Sequence, residues 1–249
     1  MSALHAVAIF AAGIAAGTVN TVVGSGTLIT FPVLLGFGYT PVIANVSNTI
    51  GLVPGSTSGA VGYRRELAGQ RRRALPLAIA STLGGIAGAV ALLSLPGSAF
   101  NEIVPAFIGL AVLLIVIQPY LTRALASRRR RPHQTGGRAA TAAVFLSGLY
   151  GGYFGAAQGI LLLAILGLAI DDDLQRINAL KLILAGLVNL VAGLIFIVVA
   201  RVAWAPAGLI AGGSILGGVL GARQGRRLPP AALRAVIVTV GIIAIVRLV

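Results

Sequence analysis

The feature that most constrains this chain is a series of apolar stretches of span length, at 75–95, 103–122, 176–200, 205–222 and 229–248, separated by short loops. Crossing about 30 Å of hydrocarbon takes roughly 20 mostly apolar residues as a helix. With no water to satisfy backbone N–H and C=O groups, a spanning segment must be a helix or part of a closed barrel. Stretches of this length fit helices. Only 10% of the 249 residues are charged and 57% are hydrophobic, against about 25% charged in an ordinary soluble domain. No loop is long enough for a separate soluble domain, so the expected fold is an all-α integral membrane protein with the lipid bilayer as its solvent.

The net charge of +14 would point a soluble chain toward nucleic acid. Position argues for topology instead. The basic residues gather between spans, at Arg64, Arg65 and Arg71 to Arg73, at Arg123 and Arg128 to Arg131, and at Arg223, Arg226 and Arg227. Such clusters mark cytoplasmic loops, and no nucleic-acid partner is expected. The first sixteen residues carry no Lys or Arg, unlike a cleaved secretory signal, and are expected to stay in the mature protein. The chain has no cysteine, which excludes disulfides and thiolate metal sites.

Sliding the chain against itself by about 130 residues exposes an internal repeat. Gly24-Ser25-Gly26 lies over Ala157-Gln158-Gly159, Asn45 over Asn178, Gly84 and Gly88 over Gly213 and Gly217, and Leu95-Pro96 over Leu228-Pro229. Each half reads as a Gly-interrupted apolar segment, 4–38 or 139–170, followed by three ordinary spans. Placing the Arg-rich loops in the cytoplasm requires each interrupted segment to return to the side it left, so each is expected to be broken, re-entrant or V-shaped. Equivalent loops then carry opposite charge bias: the Arg-rich loop at 64–74 answers to the turn at Arg201, and the Arg-free turn at 96–101 to the loop at 223–228. This is the pattern of inverted repeats in secondary transporters. The expected architecture is about eight membrane segments in one membrane domain: a first repeat over 1–122, a basic cytoplasmic linker over 123–138 and a second repeat over 139–249. Both termini are expected outside.

An unbroken helix of about 35 residues would be roughly 52 Å long, so each interrupted segment must break. The expected breaks are Thr18–Thr27, with Asn20, Thr21, Gly24, Ser25, Gly26 and Thr27, and Gly148–Gly159, with Tyr153, Gly155, Gln158 and Gly159. A half-helix starting after a break presents free N–H groups and the positive end of its dipole, an anion site that needs no buried Lys or Arg. The alternative for any one of these residues is close helix packing. The following span of each half adds Asn45, Ser47, Asn48 and Thr49, or Asn178 and Lys181. Lys181, the only lysine, either supplies a positive charge to the site or snorkels to the cytoplasmic interface.

All five carboxylates, Glu66, Glu102 and Asp171 to Asp173, lie in or beside loops, which disfavours a cation site or an intramembrane proton relay. The Asp triplet is read as an N-cap and interface feature for the helix from 174. His5 and His133 have no partner pattern for metal or nucleophilic catalysis, and no P-loop is present. No catalytic residue, metal or cofactor is expected.

With these residues in view, the chain resembles the sulfite exporter TauE/SafE family. The likeness runs from Gly24-Ser25-Gly26-Thr27-Leu28 and Pro32 through Ala44 to Thr49, and again from Gly148 to Gly159 through Lys181. It departs where Ser25 interrupts the first glycine run and Ala156, Ala157 and Gln158 replace most of the second. The resemblance implies an inner-membrane transporter of sulfite, sulfonates or related sulfur-containing anions. An anion channel and a non-transporting membrane scaffold or partner subunit remain as alternatives at this point, and the coupling ion and oligomeric state are open.

Overall fold

The computed structural model describes residues 1–127, 137–225 and 230–248, and every regular element in them is helical. In chain order these are α1 (Ala3–Val22), α2 (Thr27–Gly36), α3 (Pro41–Gly62), α4 (Arg64–Leu67), α5 (Arg71–Ser94), α6 (Gly97–Ser127), α7 (Gly137–Tyr153), α8 (Gln158–Ala169), α9 (Leu174–Val199), α10 (Trp204–Gln224) and α11 (Pro230–Leu248). Among the described residues, α1, α5, α6 over Gly97–Leu121, α9 and α10 are long and apolar enough to cross a membrane. The protein is an all-α, multi-pass membrane protein.

The helix faces carry the membrane signature. On α5, Leu75, Ile79, Leu83, Ile86 and Val90 are exposed at helical spacing, whereas Ala80, Ser81, Gly84, Gly85 and Gly88 are buried. On α10, Ile215, Leu216 and Leu220 are exposed while Gly213, Ser214, Gly217 and Gly218 are buried. Large apolar groups face outward because lipid solvates them, and small residues face inward because helices in a bilayer associate through close packing. The closest seams join α1 to α10 and α5 to α7. A Cβ on Gly17 would lie 2.8 Å from the Ser214 Cα, and one on Gly84 would lie 2.9 Å from the Leu149 nitrogen. These backbones touch.

Between the seams, α3 packs against α9 and α10, and α5 packs against α9. The last helix lies on α6 and α2, and α6 also meets α8. The order of one long helix, one short helix and three long helices thus occurs twice, with the one-turn α4 inserted in the first set. That turn holds Arg64, Arg65 and Glu66 within what the sequence pattern reads as loop.

Three boundaries differ from the sequence-based expectation. The non-helical segments are only 23–26 and 154–157, because Gly148, Gly151 and Gly152 continue α7 and serve as packing surface: a Cβ on Gly148 would meet the Ser81 carbonyl at 2.5 Å. The breaks therefore fall late, leaving α1 of span length and α2 with 10 residues, about 15 Å. Helix α6 runs from Gly97 to Ser127 through Pro105 and Pro119, longer than the expected 103–122. The Arg128 to Arg131 run, His133 and Arg226 with Arg227 lie outside the described residues.

Candidate functional site

The two breaks are closed by the same backbone pattern. After α1, the N–H groups of Val23 and Gly24 both donate to the Val19 carbonyl, at 2.7 and 2.9 Å. After α7, the N–H groups of Phe154 and Gly155 both donate to the Tyr150 carbonyl, at 2.9 and 3.1 Å. The chain then turns through left-handed backbone, at Gly24 (φ 93°) in the first break and at Gly155 (φ 77°) and Ala157 (φ 60°) in the second. Glycine takes such φ values freely. Ala157, a non-glycine in αL, costs roughly 1–2 kcal/mol.

The breaks then meet. The Gly159 N–H donates to the Gly24 carbonyl at 3.1 Å, and a Cβ on Gly159 would lie 2.5 Å from the Gly24 Cα. The approach is backbone against backbone, which explains the glycine at each position. It also uses donors at the start of α8: the Gln158, Gly159 and Ile160 N–H groups bond to the carbonyls of Gly155, Gly24 and Ala157.

Around this contact the polar residues of α3 and α9 reach across to the opposite half. Asn45 Nδ2 donates to the Tyr153 carbonyl at 2.9 Å, and Asn178 Nδ2 donates to the Thr21 carbonyl at 3.3 Å. Each asparagine thus caps the last turn of the other half's first helix. Lys181 Nζ donates to the carbonyls of Asn20 and Thr21 at 3.3 and 3.4 Å, and the residue is only 1% exposed. Of the two placements left open by the sequence, the snorkelling one is not observed. Asn48 stays within its own half, donating to Thr27 Oγ1 at 3.2 Å and accepting a short hydrogen bond from Thr30 Oγ1.

Other expected residues have local partners. Asn20 Nδ2 donates to Ser56 Oγ at 3.2 Å. Thr49 Oγ1 donates to the Asn45 carbonyl and Thr21 Oγ1 to the Gly17 carbonyl, both at 2.9 Å. Ser47 Oγ accepts from the Ala203 N–H just before α10, so it secures a helix start and does not join the breaks. A Cβ on Gly26 would lie 2.6 Å from the Ala16 carbonyl, so this glycine seats α2 on α1.

Four buried side-chain atoms near the breaks have no hydrogen-bond partner: Ser25 Oγ, Asn45 Oδ1, Tyr153 Oη and Gln158 Nε2. Ser25 and Gln158 are 1% and 3% exposed and occupy the same position in the repeat alignment. A buried polar group without a partner costs about 1–3 kcal/mol, so these groups call for an explanation. The sequence pattern missed Thr30 and Ser56, and it missed the aromatic wall around the second break. There Phe31 meets Phe154 edge-on at 5.2 Å, Phe107 meets Tyr150 at 5.4 Å and Phe100 lies 5.7 Å from Tyr153. Tyr150 Oη donates to the Ala156 carbonyl at 2.6 Å and ties the loop. Those partners are distant in sequence, and local spacing carries no signal for them.

A cleft of about 470 Å³ lies elsewhere, between α2 and α11, lined by residues including Pro32, Leu35, Tyr39 and Ile243. None of the candidate residues lines it. The polar cluster itself is closed: apart from Asn20 and Gly155, every candidate residue is buried.

At one edge of the bundle, Asp172 accepts from Arg73 and, at 3.0 Å, from Arg176. Partial burial raises the pKa of this carboxyl, but the hydrogen bonds from the two arginines outweigh it and hold the carboxyl below the usual carboxylate value. Gln70 Oε1 accepts from Arg73, and Gln70 Nε2 donates to the Arg176 carbonyl at 3.0 Å, joining the α4–α5 connection to α9. Asp173 Oδ1 accepts from the Gln175 N–H at 2.7 Å, the expected N-cap of α9.

The model of the family described as "Sulfite exporter TauE/SafE" matches residues 9–248. The chain belongs to this TauE/SafE family. It is 27% identical over 221 residues to "Probable membrane transporter protein YfcA" of Escherichia coli (strain K12), covering 88% of this chain and 79% of that protein. It is also 27% identical over 248 residues to "Probable membrane transporter protein ORF9" of Sinorhizobium sp, covering 99% and 93%. A "Probable membrane transporter protein" of Haemophilus influenzae is 25% identical over 216 residues, covering 87% and 83%. No solved structure gives a significant match. As a TauE/SafE member the chain is a multi-pass membrane transporter rather than an enzyme.

Proposed function

We propose that this TauE/SafE protein is a secondary transporter of small anions, most specifically sulfite, organosulfonates or related sulfur-containing anions, which it binds between the two breaks. The observation that carries the reading is the meeting of the breaks at Gly24 and Gly159, with the unpartnered donors of Ser25, Tyr153 and Gln158 buried around them. An oxyanion would accept from those donors and satisfy them. The description of the matched family as a sulfite exporter supports the choice of sulfur anions.

Alternating access follows from two inverted repeats, eight membrane segments in all, moving against each other around a fixed site. The twofold order of helix lengths, the matched seams and the exchange of Asn45 and Asn178 between halves support this arrangement. The buried site is then a closed intermediate of that cycle. The protein sits in the plasma membrane with its basic loops in the cytoplasm and both termini outside.

Three measurements test the proposal. Purified protein in proteoliposomes drives uptake or release of labelled sulfite or a sulfonate against its gradient, whereas a channel only dissipates the gradient. Gln158→Ala weakens anion affinity by about tenfold, the loss of one good donor to a charged ligand, while detergent-solubilised protein remains monodisperse. Cysteines placed singly at the exposed positions Arg71 and Arg201 label from opposite sides of the membrane. Labelling from one side refutes the inverted topology.

A further inference from the structure

The two halves match in their capping asparagines but not in charge. The offset that lays Asn45 on Asn178 also lays Asn48 on Lys181. Asn48 is satisfied within its own half by Thr27 and Thr30. Lys181 instead reaches across to the C-terminal carbonyls of α1, whose dipole end is negative. A carbonyl pair solvates an ammonium but does not neutralise it. All five carboxylates lie outside the core, at Glu66, Glu102 and Asp171 to Asp173, and none of them is buried. Asp172 is taken up by Arg73 and Arg176 at the edge of the bundle.

A fully buried charge without a counter-charge is costly, and this one lies beside the residues that lead into the first break. Resting on the proposed binding of an anion between the breaks, we infer that Lys181 is the specificity-determining residue of that site: its ammonium is the single fixed charge that a bound ligand neutralises, so the site takes monovalent anions in preference to divalent ones. A sulfonate brings one negative charge and three acceptor oxygens, matching one ammonium and the neutral donors of Ser25, Tyr153 and Gln158. A dianion of the same shape would bury a second charge with no cation to meet it.

Methanesulfonate and sulfate separate charge from shape, because both are tetrahedral and of similar size. In calorimetric titrations of the purified full-length protein, wild type is expected to bind methanesulfonate at least about tenfold more tightly than sulfate. Lys181→Gln keeps a donor but loses the charge, and is expected to weaken methanesulfonate by at least about tenfold. Lys181→Arg retains the preference for the monoanion. Equal methanesulfonate affinity in a monodisperse Lys181→Gln protein overturns the inference and leaves Lys181 as a cap for α1. If that variant is not recovered folded, the wild-type comparison decides alone: equal or tighter binding of sulfate overturns the inference. Wild type that binds neither anion, nor sulfite, overturns the proposed site itself, a result distinct from loss of charge preference.

Discussion

Replacing Gly159 by alanine tests the contact on which the site is built. The new Cβ would stand 2.5 Å from the Gly24 Cα and 2.9 Å from the Gly24 carbonyl oxygen. Carbon atoms in contact prefer about 3.5–4.0 Å, so one loop must retreat by about 1 Å. Both neighbours are backbone, and neither can swing aside as a side chain would. Overpacking of this kind costs roughly 1–3 kcal/mol. Retreat also stretches the bond from the Gly159 N–H to the Gly24 carbonyl, worth about 1 kcal/mol. Against this, alanine in the first turn of α8 recovers up to about 1 kcal/mol of helix propensity. The net expectation is a loss of about 2 kcal/mol, or about 4–8 °C in Tm for a chain of this size. Thermal unfolding in detergent, followed by intrinsic fluorescence, reads the shift. Gly208→Ala is the control, since a Cβ there meets nothing within 4 Å. If Gly159→Ala melts with wild type or above it, the two breaks do not meet as described.

The Asp172 cluster makes a pH prediction. The folded-state pKa of Asp172 is lowered, so its stabilising contribution is present above the unfolded carboxylate value and fades as pH falls through the lower folded one. Asp172→Asn is therefore expected to cost about 1 kcal/mol at neutral pH, with the difference from wild type closing in the acid range; parallel melts across pH check this, and a constant difference refutes it. Ala157 sits at φ 60°, so Ala157→Gly relieves roughly 1 kcal/mol of strain and should leave Tm unchanged or raised. A clear drop would show that packing of the fully buried Ala157 methyl outweighs the strain.

Much of the architecture is legible in the chain because a bilayer leaves few choices. Apolar stretches of span length become helices, since hydrocarbon offers no other partner for the backbone, and α5, α9, α10 and α11 lie close to where the sequence places them. The resemblance carried by Gly24 to Pro32 and by Gly148 to Lys181 is matched by membership of the TauE/SafE family. That the long apolar segments must break is likewise a matter of length alone.

Tertiary structure decided which glycines do what. A glycine that turns the chain and a glycine that lets two helices touch look alike in sequence. Gly148 and Gly152 became packing surface against α5, while Gly24 and Gly159 became the contact between the breaks. Partners were equally hidden: Asn45 finds the Tyr153 carbonyl and Lys181 finds Asn20 and Thr21, each far away along the chain. Composition and periodicity report what solvent a residue prefers. Which carbonyl caps an ammonium depends on how helices cross, and that is fixed only once small residues let the backbones approach.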